Sequence, residues 1–382
     1  MLIIKNGTIH NAVCPEPRKA DILIDDGKIV KIAENIACEN AEVYDASGLN
    51  IYPGFIEAHG HIGLDGYGIG FEGNDYNEMG DVLSPHLRSI DGIEPTDRAL
   101  IEAREAGVTT LCVGPGSANV LGGTFAAIKP VGKRIDDMCL LKEAAMKCAF
   151  GENPKRCYRD KGNGTRMTTA AKLREILFKA REYNEKIEKA DQEGTARPGF
   201  DMKLNALLPV IRGEMPLKAH AHQANDMFTA LRIAREFGVK ITLEHVTEGH
   251  LIVDELAKEN VPLAVGPSLT HASKFELRNK SWTTPGLLAK AGCQVSIITD
   301  SPVIPQNYLP ICAGLAVKAG MDPFAALQAI TINPAKHIGV ADRVGSIEEG
   351  KDADIVITDG CPFEVTTCVK AVYINGEKVH DC

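Results

Sequence analysis

The middle of this chain alternates strand-like and helix-like segments, and this alternation limits the folds open to it. Eight apolar runs have strand patterns: Ile51–His61, Thr109–Val113, Thr124–Pro130, Ala145–Gly151, Leu217–His222, Lys240–His245, Val261–Val265 and Gln294–Asp300. Helical spacing of apolar residues occupies the segments between them: Thr96–Glu105, Thr168–Ala190, Asp226–Phe237, Gly249–Glu259 and Thr284–Ala291. Eight strands in β/α alternation predict an α/β fold, a closed (β/α)8 barrel of the TIM type. A doubly wound open sheet is the alternative, but residues 66–70 do not form the glycine-rich turn into a helix that such a sheet normally has.

Each end of the chain carries several strand patterns, and no helical pattern separates the strands within either end. The runs are Leu2–Lys5, Ala20–Ile24, Lys28–Ile32, Ala353–Thr358 and Ala371–Val379. The Asn-Gly pair at Asn6 and the Asp-Gly pair at Asp26 are typical of hairpin turns, as is the Asn-Gly pair at Asn375. These ends predict one small β-sandwich built from both termini. The expected division is residues 1–52 and 345–382 for the sandwich and residues 53–344 for the barrel.

Charge and cysteine content exclude several classes of protein. The net charge of the 382 residues is −9 and there is no basic run, so we expect no nucleic-acid or anionic membrane partner. No apolar run approaches 18 residues, and the chain start does not resemble a signal peptide. The 11 cysteines include no C-x-x-C pair, which favours free thiols and a cytoplasmic location. The expected partner is a small-molecule substrate, and the apolar terminal sandwich permits a homo-oligomer.

Two histidines end the first predicted barrel strand, in the sequence His59-Gly60-His61. Residues two apart on a strand point to the same face, with Cα atoms about 6.6 Å apart, so two imidazoles can converge on one cation. Catalytic residues of such barrels lie at the carboxyl ends of the strands. The position of the pair therefore favours a metal site.

Three later strands end in residues of the same kind. His220 and His222 end the fifth strand, His245 ends the sixth and Asp300 ends the eighth. Each residue alone is as consistent with a buried imidazole or a helix-capping carboxylate, but their shared position favours metal ligation for the set. His220 and His222 share a face, so spacing does not separate them. We favour His220 as the ligand, with His222 nearer to the substrate.

Other histidines lie outside this strand-end pattern. His86 and His271 are in loops at the expected catalytic end, and each is a candidate substrate contact. Buried or loop histidines without a ligand are common, so the alternative for both is a structural role. His10, His337 and His380 receive no role.

Three further segments carry a family resemblance. They are Leu2–Ile9, Tyr52–His61 with its Pro-Gly-Phe-Ile-Glu-Ala-His-Gly-His sequence, and the stretch from Asn333-Pro-Ala-Lys through Gly345–Val356. In these segments the chain resembles the amidohydrolase superfamily of metal-dependent hydrolases, over essentially its whole length. Among its branches the sequence is most similar to the imidazolonepropionase-related amidohydrolases.

The resemblance implies roles for the strand-end residues. His59, His61, His220 and His245 match the metal ligands, and Asp300 matches the aspartate that binds metal and shuttles the proton. It implies one or two divalent ions, with Zn favoured and Fe, Mn or Co as alternatives. A bound ion activates water to hydroxide near pH 7, and a positioned carboxylate can transfer its proton to the leaving nitrogen.

Members of the family with two metal ions use a bridging carboxylate from the third or fourth strand. This chain offers Glu152 and, if carboxylated, Lys147. We favour Glu152, because it is already a carboxylate and ends a strand, although it can equally be a solvated cap. Arg156 and Arg159 follow it and are suited to a substrate carboxylate or to loop ion pairs.

The function expected is hydrolysis of a C–N bond in a small amide, cyclic amide or dipeptide-like substrate by metal-activated hydroxide. A heterocycle deaminase on the same site is the alternative. Such an enzyme commonly adds a carboxylate between the fifth- and sixth-strand ligands; Glu244 is the nearest, but strand alternation would point it out of the barrel. A non-catalytic barrel scaffold is the alternative from a different class, and the full ligand set disfavours it.

Overall fold

Two separate eight-stranded sheets organise the computed structural model, which describes residues 1–382. The strands, in chain order, are β1 (Leu2–Ile9), β2 (Arg18–Asp25), β3 (Lys28–Ala33), β4 (Glu42–Asp45), β5 (Asn50–Pro53), β6 (Phe55–Gly60), β7 (Val108–Val113), β8 (Leu121–Ile128), β9 (Cys139–Ala149), β10 (Leu217–Ala221), β11 (Ile241–His245), β12 (Leu263–Val265), β13 (Val295–Ile297), β14 (Ile355–Thr358), β15 (Val369–Ile374) and β16 (Glu377–Asp381). Strands β6–β13 form the barrel, and the other eight form a sheet from both chain ends. The predicted fold class is thus confirmed.

Helices cover the barrel and fill most of its connections. They are α1 (Arg98–Glu105), α2 (Ile135–Met138), α3 (Glu152–Cys157), α4 (Arg166–Glu193), α5 (Met202–Ala206), α6 (Leu208–Ile211), α7 (Ala224–Phe237), α8 (Val253–Glu259), α9 (Thr284–Lys290), α10 (Leu309–Lys318), α11 (Pro323–Ala329) and α12 (Ile332–His337). Short 3₁₀ turns lie at Gly66–Gly68, Ser89–Asp91, Arg159–Lys161, Gly249–Leu251, Phe275–Leu277 and Gln306–Tyr308. The five helices predicted from spacing are among these elements.

One barrel strand runs against the others. The order is β6-β7-β8-β9-β10-β11-β12-β13, with parallel pairing throughout except that β8 is antiparallel to both β7 and β9. Only residues 114–120 connect β7 to β8, and a parallel pair needs a crossover of a dozen or more residues. The chain therefore turns straight back, and the second β/α unit of a regular barrel has no helix here. This connection lies at the end of the barrel where the parallel strands finish.

The barrel is nearly closed, and side chains join its first and last strands. The carboxylate of Glu57 on β6 accepts hydrogen bonds from the amide and hydroxyl of Thr299, at 2.9 and 2.6 Å, and from the amide of Gln306 at 3.0 Å. The His61 amide donates to the Ser301 carbonyl at 2.7 Å. These contacts fix the two strand ends that carry the candidate ligands beside each other.

The longest helix, α4, shows how local sequence sets an element and its buried face. The Thr165 hydroxyl accepts from the amide of Thr168 at the start, and Gly194 ends the helix with a φ of 66°. Leu173 and Leu177, four residues apart, are buried in the largest apolar core, between the barrel strands and the outer helices. No helix of the structure is both long enough and apolar enough to cross a bilayer.

The terminal sheet has the order β16-β15-β14-β5-β1-β2-β3, and β4 pairs with β1. Antiparallel pairing of β14 with β5 joins the two chain ends. The predicted turns at Asp26 and Asn375 are confirmed, with positive φ at both residues and at the glycine that follows each. The hairpin expected at Asn6 is wrong: Asn6 lies within β1 at an irregularity in its pairing with β2. A Cβ on Gly7 would overlap Ile51, so close packing and not a turn requires this glycine.

A buried ionic cluster connects the barrel to the terminal sheet. The ammonium of Lys129, which follows β8, lies 2.8 Å from carboxylate oxygens of both Asp352 and Asp354. Asp352 also contacts Arg343 and Lys28. Burial alone would raise the pKa of Asp352, but the hydrogen bonds from these cations outweigh it and hold the pKa well below its ordinary value.

Candidate metal centre

The strand-end residues predicted from the sequence meet at one end of the barrel. His59 is the penultimate residue of β6, His220 and His222 flank the last residue of β10, His245 ends β11, and Asp300 follows β13. The four histidines are buried. Two sets have ligand atoms within 4.8 Å of one another: His220, His222 and His245, and His59, His245 and Asp300. His222 is therefore as close to the group as His220 is.

Hydrogen bonds at Nδ1 fix the rings of three histidines and leave Nε2 as the nitrogen that can bind a metal ion. His61 and His245 place Nδ1 2.7 and 2.9 Å from main-chain carbonyls, and His59 places Nδ1 3.0 Å from the Glu244 carboxylate. These oxygens only accept, so each Nδ1 carries the proton and each Nε2 keeps its lone pair. Metal-ligating histidines have this arrangement in proteins.

Asp300 lies among the imidazoles. Its Oδ1 is 3.2 Å from His61 Nε2 and 3.8 Å from His59 Nε2, and its Oδ2 is 3.9 Å from His245 Nδ1. Burial opposes its charge, but the surrounding imidazoles outweigh this and hold the pKa of Asp300 below its ordinary value. The carboxylate is 14% exposed, so it is accessible from the adjoining cavity.

Several buried nitrogen atoms here have no partner. Both ring nitrogens of His220 and the Nε2 of His245 make no hydrogen bond. Burial lowers the pKa of His220 well below 6.5, so its ring is neutral at pH 7. Leaving a buried polar group unpaired costs about 1–3 kcal/mol. A divalent cation would satisfy these lone pairs, and the donor set of imidazole and carboxylate suits Zn or a related ion.

The two candidates for a bridging carboxylate lie in different surroundings. Lys147, on β9, is fully buried with Nζ 3.0 Å from His59 Nε2, and burial lowers its pKa to about 8. Glu152 begins α3 after Gly151, whose φ of 81° turns the chain away from β9. Its carboxylate accepts a hydrogen bond from the Glu276 amide at 3.3 Å. The geometry thus brings Lys147, and not the preferred Glu152, to the histidines.

The orientation expected for Glu244 is wrong. Glu244 points into the barrel, where His59, Lys218 and His337 place nitrogen atoms 2.9–3.0 Å from its oxygens. Alternation instead assigns His245 to the outer face, and its φ of 75° brings the imidazole into the cluster. His337, which received no role, reaches this network from the end of α12. Positive φ in a residue other than glycine has no reliable sequence signal.

A cavity of about 370 Å³ lies beside the cluster, and its wall includes His61, His222, Asp300 and Arg156. Of the predicted substrate contacts, His222 and Arg156 line it, whereas His86, His271 and Arg159 do not. His271 and Arg159 are exposed, and the segment that holds His86 runs alongside β8. A larger cavity, of about 770 Å³, opens elsewhere, beside His337, and none of the predicted ligands lines it.

Three further residues at the cavity were not singled out from the sequence. The ring of Tyr76 stacks on that of His61, with centroids 5.1 Å apart. Lys274 lines the wall, and the fully buried Glu276 lies 3.7 Å from His222 Nε2. All three come from long connections that follow barrel strands. Their only sequence signal was a position at the catalytic end, which they share with many loop residues.

Comparisons with known proteins identify similar sequences and a similar fold. A family model described as "Amidohydrolase family" matches residues 211–379. The crystal structure of an amidohydrolase from Thermotoga maritima MSB8 is 39% identical, with 100% of both chains covered and a TM-score of 0.97. Amidohydrolase tasK of Hapsidospora irregularis is 28% identical over 94% of this chain, which spans 40% of the length of tasK. An imidazolonepropionase of Thermoplasma volcanium is 27% identical over 95% of this chain and 91% of that protein.

Proposed function

Because the chain belongs to the amidohydrolase family, we propose that it is a metal-dependent hydrolase that cleaves a C–N bond in a small amide, cyclic amide or dipeptide-like substrate. The observation that carries this proposal is the group of buried imidazoles with unpartnered nitrogen atoms around Asp300. The similarity to an imidazolonepropionase supports a cyclic amide among the candidates.

We propose that His59, His61, His220, His245 and Asp300 hold one or two divalent ions. Zn fits best, with Fe, Mn or Co as alternatives. Lys147 replaces Glu152 as the proposed bridging residue, in its carboxylated form, since its amine contacts His59 and Glu152 does not. When bound, such an ion supplies the nucleophile by lowering the pKa of water to about 7.

Asp300 has the proposed role of proton shuttle. Its carboxylate is ionised at neutral pH, is held among His59, His61 and His245, and is open to the cavity on one side. It can therefore accept a proton from the attacking water and donate it to the leaving nitrogen. Such transfer contributes roughly 10²–10⁴-fold to rate.

A heterocycle deaminase remains the alternative. Such an enzyme commonly uses a further carboxylate for proton transfer, so the carboxylates around the site distinguish the two functions. Glu244 does not line the cavity. Its oxygens are occupied by contacts with His59, Thr242, His337 and Lys218 beneath the ligands. Glu276 lies closer to the substrate side, but its carboxylate pairs with Lys274 at 2.6 Å. The geometry therefore offers no unpaired carboxylate for a second proton transfer, and hydrolysis is the better supported function.

The test is a substrate screen of the Zn- or Mn-loaded protein against N-acyl amino acids, dipeptides, hydantoins, imidazolones and amino-substituted heterocycles. We expect hydrolysis of an amide and loss of at least about 100-fold in kcat for Asp300→Asn. Asp254→Asn, at an exposed position on α8, is the matched control. Unchanged turnover in Asp300→Asn would refute the proposed mechanism. Metal content well below one equivalent, without rescue on metal addition, would favour a scaffold instead.

A further inference from the structure

The cavity wall has an uneven charge. Its ionisable side chains other than histidine, tyrosine and cysteine are Arg156, Lys274 and Asp300. Since Asp300 faces the imidazoles of the candidate metal centre, the remainder of the wall presents two cations and no carboxylate. A cavity of this composition attracts an anionic ligand.

Two contacts hold the Lys274 ammonium in place, but they do not use all of its hydrogen-bond donors. Its Nζ lies 2.6 Å from Glu276 Oε1 and donates to Asn153 Oδ1 at 3.2 Å. An ammonium group has three N–H donors, so these two contacts leave at least one donor free. The side chain is 14% exposed and lines the cavity, which leaves the free donor available to a bound molecule.

Glu276 explains why the ammonium is fixed at this point. Its carboxylate is fully buried and accepts the amide of Glu152 at 2.9 Å, so it cannot move without losing that bond. A buried carboxylate requires a charged partner, and Lys274 is the nearest. Glu276 Oε1 also lies 3.7 Å from His222 Nε2 and 3.8 Å from His220 Nε2. The Glu276 carboxylate therefore contacts the Lys274 ammonium and also lies beside the imidazoles of His220 and His222.

We propose that Lys274, positioned by Glu276 and Asn153, binds a carboxylate of the substrate, with Arg156 as a second cation at the same cavity. The substrate class is then a small amide that carries a carboxylate close to the scissile bond, such as an N-acyl amino acid or a cyclic amide with an acidic side arm. This inference rests on the proposed function, since it names the substrate of that same site.

The test compares charged and neutral ligands of the same shape. Calorimetry would measure the Kd of N-acetylglycine and of N-acetylglycinamide with the metal-loaded protein, and kinetics would follow any that are hydrolysed. A charge-assisted hydrogen bond predicts at least about ten-fold tighter binding of the carboxylate. Lys274→Met should abolish this preference, and the double variant Lys274→Met/Glu276→Gln, which leaves no uncompensated buried carboxylate, should abolish it as well. Lys280→Met is the matched control, because Lys280 belongs to the same connection but binds the Thr270 carbonyl.

A second variant tests the positioning role. Glu276→Gln keeps the shape but removes the charge that holds Lys274, so KM for carboxylate substrates should rise several-fold more than kcat falls. Extending the ligand pairs to hydantoin-5-acetate and its amide covers cyclic substrates. Equal affinity for charged and neutral members of every pair, or a preference retained in Lys274→Met, would overturn the inference.

The two proposals can fail separately. Suppose that the metal-loaded protein hydrolyses neutral and charged amides with equal kcat/KM. This result would support the proposed function and contradict the proposed role of Lys274. Suppose instead that carboxylate binding depends on Lys274 but the protein neither retains metal nor hydrolyses any amide of the panel. This result would support the role of Lys274 and contradict the proposed function.

Discussion

Glu244 occupies the interior of the barrel directly beneath the candidate metal centre. Its carboxylate is fully buried, accepts hydrogen bonds from His59, His337 and Thr242, and forms an ion pair with Lys218. The bond from His59 Nδ1 sets the tautomer of that ring and directs Nε2 toward Asp300. Glu244 is therefore a positioning residue for a ligand, although it touches no substrate.

Replacing Glu244 with Gln tests this role. The amide can no longer compensate the buried Lys218 charge and need not present an oxygen to His59, so metal affinity should fall roughly 10–100-fold. Competition with a chromophoric chelator would measure the change. Glu143→Gln, an exposed substitution on β9, should have no effect. Unaltered affinity in Glu244→Gln would contradict the assignment.

Lys147 and Glu152 make opposite predictions about metal stoichiometry. If carboxylated Lys147 bridges two ions, Lys147→Met should retain at most one equivalent, whereas Glu152→Gln should bind as many as the unmodified protein. Elemental analysis after gel filtration would count the ions, and intact mass spectrometry would detect the added carbon dioxide. Two ions retained by Lys147→Met would return the bridge to Glu152.

The sequence identified ligand residues better than the residues that support them. His59, His220 and Asp300 follow strand patterns directly, so their convergence could be predicted from barrel topology. His245 was placed at the right strand end although alternation assigns it to the other face, and the same alternation misplaced Glu244. Lys274 and Glu276 lie in a connection whose path depends on tertiary contacts, which no local pattern records.

Among the elements, β8 departs most from the expected barrel. Apolar alternation indicates a strand but not its direction, so Thr124–Pro130 was placed correctly in the barrel without any sign that it runs backwards. Direction depends on the length of the connection, and the predicted strand began later than the observed Leu121. The glycine pair before Thr124 lies within β8 and not in a loop. The connection from β7 is therefore shorter than the sequence pattern indicates.

Gly123 in β8 is expected to be indispensable for this element. Its φ is 108°, and a Cβ would overlap the main-chain carbonyl of Leu87. Gly123→Ala should destabilise the protein by about 2 kcal/mol or more, because both strain and overlap oppose it. A thermal unfolding midpoint lowered by several degrees would be the signature. Gly164→Ala, where a Cβ meets open space, should leave the midpoint unchanged; equal midpoints for both variants would contradict this expectation.

At the scale of the whole molecule, the ionic cluster at Lys129 couples the barrel to the terminal sheet. The pKa of Asp352 is depressed in the folded protein, so its contribution to stability is fully present above the unfolded carboxyl pKa of about 4 and is lost progressively as pH falls from there through the lower folded pKa. The proposed division into residues 1–52, 53–344 and 345–382 separates these partners, so each part depends on the other.

Asp352→Asn measures that coupling. Removing the carboxylate leaves Lys129, Lys28 and Arg343 without their shared partner, which should cost about 3 kcal/mol at pH 7. The cost should shrink as pH falls below about 4, because the carboxyl of Asp352 is then protonated in the unfolded chain, which favours unfolding of the unmodified protein. Thermal unfolding over a pH series would follow it, with the exposed Asp137→Asn as control. A pH-independent difference between Asp352→Asn and the unmodified protein would rule out the charge as the cause.

The pairing of β14 with β5 has a consequence for biosynthesis. Strands β1–β5 leave the ribosome before the barrel strands, yet their sheet gains β14–β16 only after the whole barrel sequence has been translated. At roughly 5–20 residues per second, this delay lasts tens of seconds. During that time β5 presents an unpaired edge, so the nascent chain is most exposed to aggregation, and most in need of a chaperone, while its barrel is being made.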